Sequence, residues 1–133
     1  MRPANVIFYL NALLLADFRK EFPDIAFKDS DALPQCIQAV YEQKDETFII
    51  IIDEYDVMVR EQVSGEDFSI YLAFLNSLFK NAELKPAISL AYLTGILPII
   101  RDKIQSKLNT IRQYTMVDAG DFAEFAGFTP KEV

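Results

Sequence analysis

The sequence predicts an α/β domain with three layers, in which a mostly parallel β-sheet is covered by helices on both faces. Short apolar runs rich in β-branched residues alternate along the chain with segments whose apolar residues recur at helical spacing. The run at residues 48–52 is apolar throughout, as expected for a strand buried on both faces of a parallel sheet. The chain has 133 residues, which suits one domain, and we assign residues 1–133 to it.

The first half of the chain is predicted to contain two strands and two helices. Residues 5–10 are apolar and rich in strand formers, which predicts a first strand. The next segment shows helical spacing until Pro23, which ends the helix. A second helix, capped by Ser30 or Asp31, leads to the strand at residues 48–52.

The second half is predicted to continue this alternation. A helix begins at Ser64 and is followed by a strand at residues 88–93. A polar and helical stretch then leads to a short strand at residues 114–117. Residues 129–132 form a capping box with proline at the first helical position, which predicts a helix at the end of the chain. We therefore expect this chain to be part of a longer protein.

Composition excludes several classes of function. The net charge of −7 argues against a nucleic-acid-binding surface and against binding to an anionic membrane. The absence of histidine excludes a Ser-His-Asp triad and a histidine zinc site. The single cysteine, Cys36, cannot form an internal disulfide and is predicted to be buried. Because no apolar run is long enough to span a bilayer and no signal peptide is recognisable, we expect a cytoplasmic protein.

Two acids, Asp53 and Glu54, directly follow the strand at residues 48–52. The carboxyl ends of strands form the ligand crevice in open α/β sheets, so these acids are candidate site residues. An aliphatic strand ending in Asp-Glu has the form of a Walker B segment, in which the first acid holds Mg²⁺ and the second orients or deprotonates the attacking water. Asp56 could support this site or simply cap the next turn. Alternatively, the two acids have no catalytic role, because acidic residues are soluble and often begin the turn after a strand.

Four segments together make the sequence resemble the AAA-ATPase-like proteins common in bacteria, which often carry a PD-(D/E)XK nuclease-like domain after the ATPase part. The segments occur in the order of that family and span nearly the whole chain. They are residues 5–10, 48–56, 90–98 and 127–133.

The resemblance implies a P-loop NTPase fold of the ASCE/AAA type, with ATP and Mg²⁺ as cofactors of the complete domain. By position, it implies that Asp53 binds Mg²⁺, that Glu54 is the catalytic base, and that Thr94 is the polar sensor beside the γ-phosphate. Arg101 or Lys103 would meet phosphate from a neighbouring subunit, or would simply be exposed basic residues.

The phosphate-binding loop of that family is missing from this sequence. No Gly-x-x-x-x-Gly-Lys-Ser/Thr motif occurs, and the chain has only four glycines. In the family, this Walker A loop and its strand precede the first matching segment. We therefore expect a partial domain, with the Walker B and sensor portions, that binds nucleotide weakly or is inactive alone. A sheet that lacks an inner strand exposes edges, which favours self-association.

Three functions are compatible with these observations. The first is part of an ATP-hydrolysing AAA-ATPase-like protein, with enzymatic activity only in the full-length context. The alternative is a non-catalytic α/β interaction or scaffold module. A third is a metal-dependent phosphohydrolase or nuclease that uses Asp53, Glu54 and Asp56, although no lysine or basic groove accompanies these acids.

Overall fold

The computed structural model describes residues 3–61, 65–96, 112, 114, 118, 120–122 and 125 of the chain. The chain divides into two compact units, Met1–Ile96 and Leu97–Val133. In its described residues, the first unit contains four helices, two strands and a short 3₁₀ turn. In chain order they are α1 (Pro3–Glu21), α2 (Leu33–Lys44), β1 (Phe48–Ile52), α3 (Val57–Arg60), α4 (Gly65–Phe79), the 3₁₀ turn (Lys85–Ala87) and β2 (Ile88–Leu93).

The N-terminal segment is helical, and the predicted strand at residues 5–10 is wrong. These residues belong to α1, which begins at Pro3. Proline is well tolerated there, because the first amide groups of a helix have no intrahelical partner. A run of only six residues is too short for periodicity to distinguish a strand from a helix. The helical spacing expected for the next segment is confirmed, since Leu15 and Phe18 are both buried.

The start of helix α2 depends on a contact that is distant in sequence. The N-cap residue is Ala32, so the prediction of a cap at Ser30 or Asp31 is wrong. The backbone N–H of Leu33 donates instead to Oδ1 of Asn11 on α1, at 2.9 Å. The Asp31 carboxylate accepts a hydrogen bond inside the preceding turn. No local sequence pattern could have identified Asn11 as the partner.

Strands β1 and β2 form a two-stranded parallel sheet. Their register places Ile49 opposite Leu90 and Ile51 opposite Tyr92. Parallel strands require a crossover connection, and here α3 and α4 lie in that connection. The predicted strands at residues 48–52 and 88–93 are therefore confirmed, as is the α/β class.

One face of this sheet packs against the hydrophobic core. The residues that contact the core from this face are Phe48, Ile50 and Ile88. The centres of the Phe18 and Phe48 rings are 5.5 Å apart. Cys36 is fully buried, as predicted, and burial raises the pKa of its thiol to about 11. The core residues come from α1, α2 and α4, from the loop between α1 and α2, and from the segment between α4 and β2 that includes the 3₁₀ turn. They are Leu15, Phe18, Ile25, Phe27, Cys36, Ile37, Val40, Leu78, Leu84 and Ala87.

The opposite face of the sheet is exposed. Ile49 and Ile51 on β1 are 61% and 70% exposed, and their neighbours Leu90 and Tyr92 on β2 are exposed as well. The expectation that β1 is buried on both faces is therefore met on one face only. Within the described residues, the helices α1, α2 and α4 supply the packing for that single face. We call the four residues of the other face the exposed sheet face.

The second unit is described at a few positions. A 3₁₀ turn spans Gly120–Phe122. The guanidinium of Arg112 lies 5.0 Å from the centre of the Tyr114 ring and forms an ion pair with Asp121. Tyr114 is not part of a strand, and the rest of the strand predicted at residues 114–117 lies outside the described residues. So does the helix predicted from residue 129 onward.

Candidate functional site

Backbone hydrogen bonds connect the carboxyl ends of β1 and β2. The N–H of Thr94 donates to the carbonyl of Ile52, at 2.9 Å. The N–H of Tyr55 donates to the carbonyl of Thr94, also at 2.9 Å. The residues that follow the two strands are therefore held side by side, although they are about 40 positions apart in the sequence.

The side chain of Thr94 connects the two predicted acids. Its hydroxyl donates a hydrogen bond to the Asp53 carboxylate and accepts one from the backbone N–H of Glu54, at 3.2 Å. The structure thus brings together all three residues that the sequence singled out. We call these three residues, with Asp56 and Arg60, the strand-end cluster.

Glu54 has an unusual backbone conformation. Its φ angle is +53°, in the left-handed region that residues with a side chain rarely adopt. Such a conformation costs on the order of 1–3 kcal/mol and persists only where surrounding contacts impose it. Here the hydrogen bond to Thr94 and a 3.0 Å bond from Val57 N–H to the Glu54 carbonyl hold the turn. The turn leaves the Glu54 side chain 61% exposed.

Asp56 is the buried member of the cluster, with 1% of its side chain exposed. One carboxylate oxygen accepts a hydrogen bond from the N–H of Ile96, at 3.0 Å. The other lies 3.3 Å from Nε of Arg60. Asp56 therefore reaches across to the segment after β2, and its role is not limited to the turn in which it lies.

Arg60 is a site residue that the sequence analysis missed. Its Nη2 lies 3.6 Å from the Glu54 carboxylate, while its Nε faces Asp56, and its side chain is 24% exposed. The available signal was the spacing of Asp56 and Arg60, because residues four apart are neighbours on a helix. Since α3 has only four residues, helical spacing there was not evident.

Gly95 is required by close packing against the strand-end cluster. A Cβ atom at this position would lie 2.6 Å from Cε1 of Tyr55 and 2.9 Å from Oδ1 of Asp56. Both distances are shorter than a non-bonded contact allows. The Thr94-Gly95 pair in the sequence therefore has a local structural reason, because only glycine lets the chain pass this close to Tyr55.

Helix α4 reaches the cluster through a buried tyrosine. The hydroxyl of Tyr71 donates a hydrogen bond to the carbonyl of Tyr55, directly beside Asp56. Burial, with smaller effects from the nearby Tyr55 and Asp56, raises the pKa of Tyr71 to about 12. Burial also raises the pKa of Tyr55, with a smaller effect from Asp56. Both tyrosines are neutral at neutral pH and contribute packing and one hydrogen bond to the site.

The donor atoms of the cluster suit a hard cation that keeps most of its water. Among the described residues, no group of three or more histidine, cysteine, aspartate or glutamate side chains is arranged to hold a metal ion. Asp53 is exposed and Thr94 half-buried, so both offer oxygen atoms to a ligand. Mg²⁺ commonly binds through one or two carboxylates and completes its shell with water and phosphate oxygens. The cluster therefore fits Mg²⁺ better than a metal enclosed by protein ligands.

Comparison of the sequence with known families gives a match to the family model described as a predicted AAA-ATPase, over residues 10–105. The matched region covers more than half of the chain and contains β1, β2 and the whole strand-end cluster. Neither curated proteins nor solved structures give a significant match. In the part of the chain that the structure describes, no helix is long and apolar enough to cross a membrane.

Proposed function

The chain belongs to the predicted AAA-ATPase family, and on that premise we propose that it supplies the metal-binding and water-activating side chains of an ATP-hydrolysing site. The observation that carries this proposal is the contact of the Thr94 hydroxyl with both Asp53 and Glu54. It joins the three candidate residues at the carboxyl ends of two parallel strands, where ligands of α/β sheets bind.

Each of the three side chains has a distinct role in this proposal. Asp53 holds Mg²⁺, which when bound would neutralise charge on the phosphates of ATP. Glu54 orients the attacking water and accepts its proton, for which an exposed carboxylate beside the metal ligand is suited. Thr94 holds the Asp53 carboxylate and the backbone of Glu54 together, and its one hydroxyl proton would turn from Asp53 to the terminal phosphate when Asp53 binds the metal.

The strained turn at Glu54 supports this assignment. A left-handed residue with a side chain is costly, and such residues concentrate at functional sites. The conformation directs the backbone N–H of Glu54 to Thr94 while its carboxylate remains accessible to solvent.

We propose that this chain alone binds ATP weakly. The sequence has no Gly-x-x-x-x-Gly-Lys-Ser/Thr motif, and carboxylates repel the phosphates of ATP unless a cation lies between them. In the described residues, Arg60 is the cation of the strand-end cluster, and it is already paired with two carboxylates. A phosphate loop supplied by another segment would complete the site.

A non-catalytic interaction module is the second candidate function. The observation that favours it is the exposed sheet face, since contiguous apolar surface often marks a binding site for another protein. Under this alternative, the chain keeps the α/β framework and binds no metal at Asp53.

Metal binding followed by electron paramagnetic resonance tests the proposal, with Mn²⁺ in place of Mg²⁺ and with ATP present. We expect weak binding that Asp53→Asn lowers at least about tenfold, because the proposed carboxylate ligand is lost. Asp17→Asn, which removes an exposed carboxylate from α1, is the matched control and should leave binding unchanged. Where a phosphate loop is present, Glu54→Gln should abolish hydrolysis and spare binding.

Equal Mn²⁺ affinity in the wild type and in Asp53→Asn would show that Asp53 is not the metal ligand. If Asp53→Asn and Asp17→Asn weaken Mn²⁺ binding equally, the effect comes from the overall charge of the protein and not from a specific ligand. Absence of any specific metal binding, combined with self-association of the chain in light scattering, would favour the interaction module.

A further inference from the structure

Asp56 and Arg60 belong to the strand-end cluster through their contacts with each other and with Glu54, although the family resemblance gives neither a direct part in the chemistry. The Asp56 carboxylate is almost fully buried. Burying a carboxylate is costly unless a cation or hydrogen-bond donors compensate its charge. Arg60 and the N–H of Ile96 provide this compensation. Asp56 is therefore fixed at one place relative to both strands.

One guanidinium group spans two carboxylates in this arrangement. Nε of Arg60 lies 3.3 Å from Asp56, and Nη2 of the same group lies 3.6 Å from Glu54. The guanidinium is planar and rigid, so its orientation at one end determines where its other nitrogen atoms point. Because Asp56 is buried and Glu54 is largely exposed, Asp56 is the fixed end of this chain of contacts and Glu54 is the mobile end.

We propose that Asp56 and Arg60 are positioning residues for Glu54. Asp56 fixes the guanidinium of Arg60, and Arg60 restricts the Glu54 carboxylate to the positions in which it faces Nη2. This inference rests on the proposed role of Glu54 in activating water.

The physical reason lies in the freedom of an exposed glutamate. A glutamate side chain has several rotamers of similar energy, and an unrestrained one spends much of its time away from a productive position. A displacement of about 1 Å in a reacting group can cost on the order of 100-fold in rate. An ion pair that limits the rotamers of Glu54 therefore affects the reaction without contacting the substrate.

The first readout is the carboxylate ¹³C resonance of Glu54 in the full chain, identified by its disappearance in Glu54→Gln. We expect Arg60→Met to shift this resonance to that of a free exposed glutamate. Arg60→Lys should shift it partly, because an ammonium group cannot face both carboxylates at once. Arg19→Met is the matched control. It removes an arginine that pairs with Asp29, a contact that does not involve Glu54, and it should cause no shift of the Glu54 resonance.

Asp56→Asn separates positioning from simple charge. This variant keeps the Arg60 side chain but weakens its contact with residue 56, which orients the guanidinium. The Glu54 resonance should therefore shift in this variant as well. Circular dichroism shows whether this variant folds, and the Arg60 variants carry the test if it does not. An unchanged Glu54 resonance in folded Arg60→Met would overturn the inference, whatever the enzymatic activity.

The second readout is ATP hydrolysis, measured under conditions in which the wild-type protein turns over. Arg60→Met should lower kcat about 10- to 100-fold and change KM less than about twofold, with partial recovery in Arg60→Lys. The double variant Arg60→Met/Glu54→Gln should have the same kcat as Glu54→Gln alone, because the residue that Arg60 positions is already inactive.

The two proposals fail in different ways. If Glu54→Gln leaves hydrolysis unchanged, the proposed function is wrong, while the resonance still reports whether Arg60 holds Glu54. If Glu54→Gln abolishes hydrolysis and Arg60→Met does not lower kcat, only the positioning inference is wrong. If the wild type shows no turnover, the resonance alone decides.

Discussion

The two faces of the β1–β2 sheet carry similar side chains in opposite surroundings. Along β1, Phe48 and Ile50 pack against the core, while Ile49 and Ile51, which alternate with them, are exposed to solvent. Burial of apolar surface contributes about 25 cal/mol per Å², so residues of the same type differ in their contribution to stability by the area that is covered. The apolar composition of a strand therefore does not determine how many of its faces are buried.

The covered face also connects the core to the strand-end cluster. Helix α4 contributes Leu78 to the core and, two turns earlier, directs Tyr71 to the carbonyl of Tyr55. The exposed sheet face makes no such connection among the described residues. We therefore expect substitutions on the covered side to change both stability and site geometry, and substitutions on the exposed face to change neither.

The largest expected effect comes from removing the aromatic cover of the sheet. Phe18 is buried and its ring lies near those of Phe22, Phe27 and Phe48. Phe18→Ala should destabilise the fold by about 3–5 kcal/mol, because it removes a large buried ring and leaves a cavity. Urea denaturation monitored by circular dichroism measures this change.

Phe8 provides the matched control for this substitution. It lies on the same helix, α1, and is 78% exposed. Phe8→Ala should change stability by no more than about 0.5 kcal/mol. Equal effects at the two positions would mean that α1 does not cover the sheet through Phe18.

A smaller effect is expected where the covered side meets the cluster. Tyr71→Phe removes the hydrogen bond to the Tyr55 carbonyl and should cost about 0.5–1.5 kcal/mol at neutral pH. Tyr9→Phe, at an exposed position on α1, should leave stability at neutral pH unchanged. The measurement is again the free energy of unfolding from urea titrations.

The same substitution should alter the alkaline pH dependence of stability. Burial raises the pKa of Tyr71 from 10.0 to about 12 in the folded protein, so between these values the folded state retains a proton that the unfolded state has lost. The contribution of Tyr71 is therefore complete below pH 10 and is lost as pH rises toward 12. Tyr71→Phe should show a shallower decline over this range. An unchanged slope would contradict the burial of Tyr71.

Much of this architecture could be predicted from sequence, and the reasons differ by element. The strands at residues 48–52 and 88–93 were identified because runs of β-branched and apolar residues bounded by turn residues are strong local signals. The run at residues 5–10 has a similar composition but lies in α1. So short a run cannot by itself distinguish a strand from a helix. The family resemblance, carried by an ordered set of segments, is confirmed by the match over residues 10–105.

The candidate site was predictable only in part. Asp53 and Glu54 were singled out because they follow a predicted strand, whereas Thr94 was implied by the family resemblance. The structure places the three residues together, and their roles stay predictions. Arg60 was missed because α3 has only four residues, so its helical spacing from Asp56 was not evident in the sequence. The 3.6 Å contact of Arg60 with Glu54 and the Asn11 contact at the start of α2 follow from no local sequence pattern.

The smallest expected effect distinguishes two adjacent residues on opposite faces of β1. Ile51→Thr should change stability by no more than about 0.5 kcal/mol, because Ile51 is 70% exposed and threonine keeps the β-branched shape that strands favour. Ile50→Thr introduces the same hydroxyl on the covered face, where an unpaired polar group costs about 1–3 kcal/mol. Urea denaturation of both variants gives the comparison. If the two substitutions destabilise the fold equally, something covers Ile51 in solution, and the contrast between the two faces does not hold.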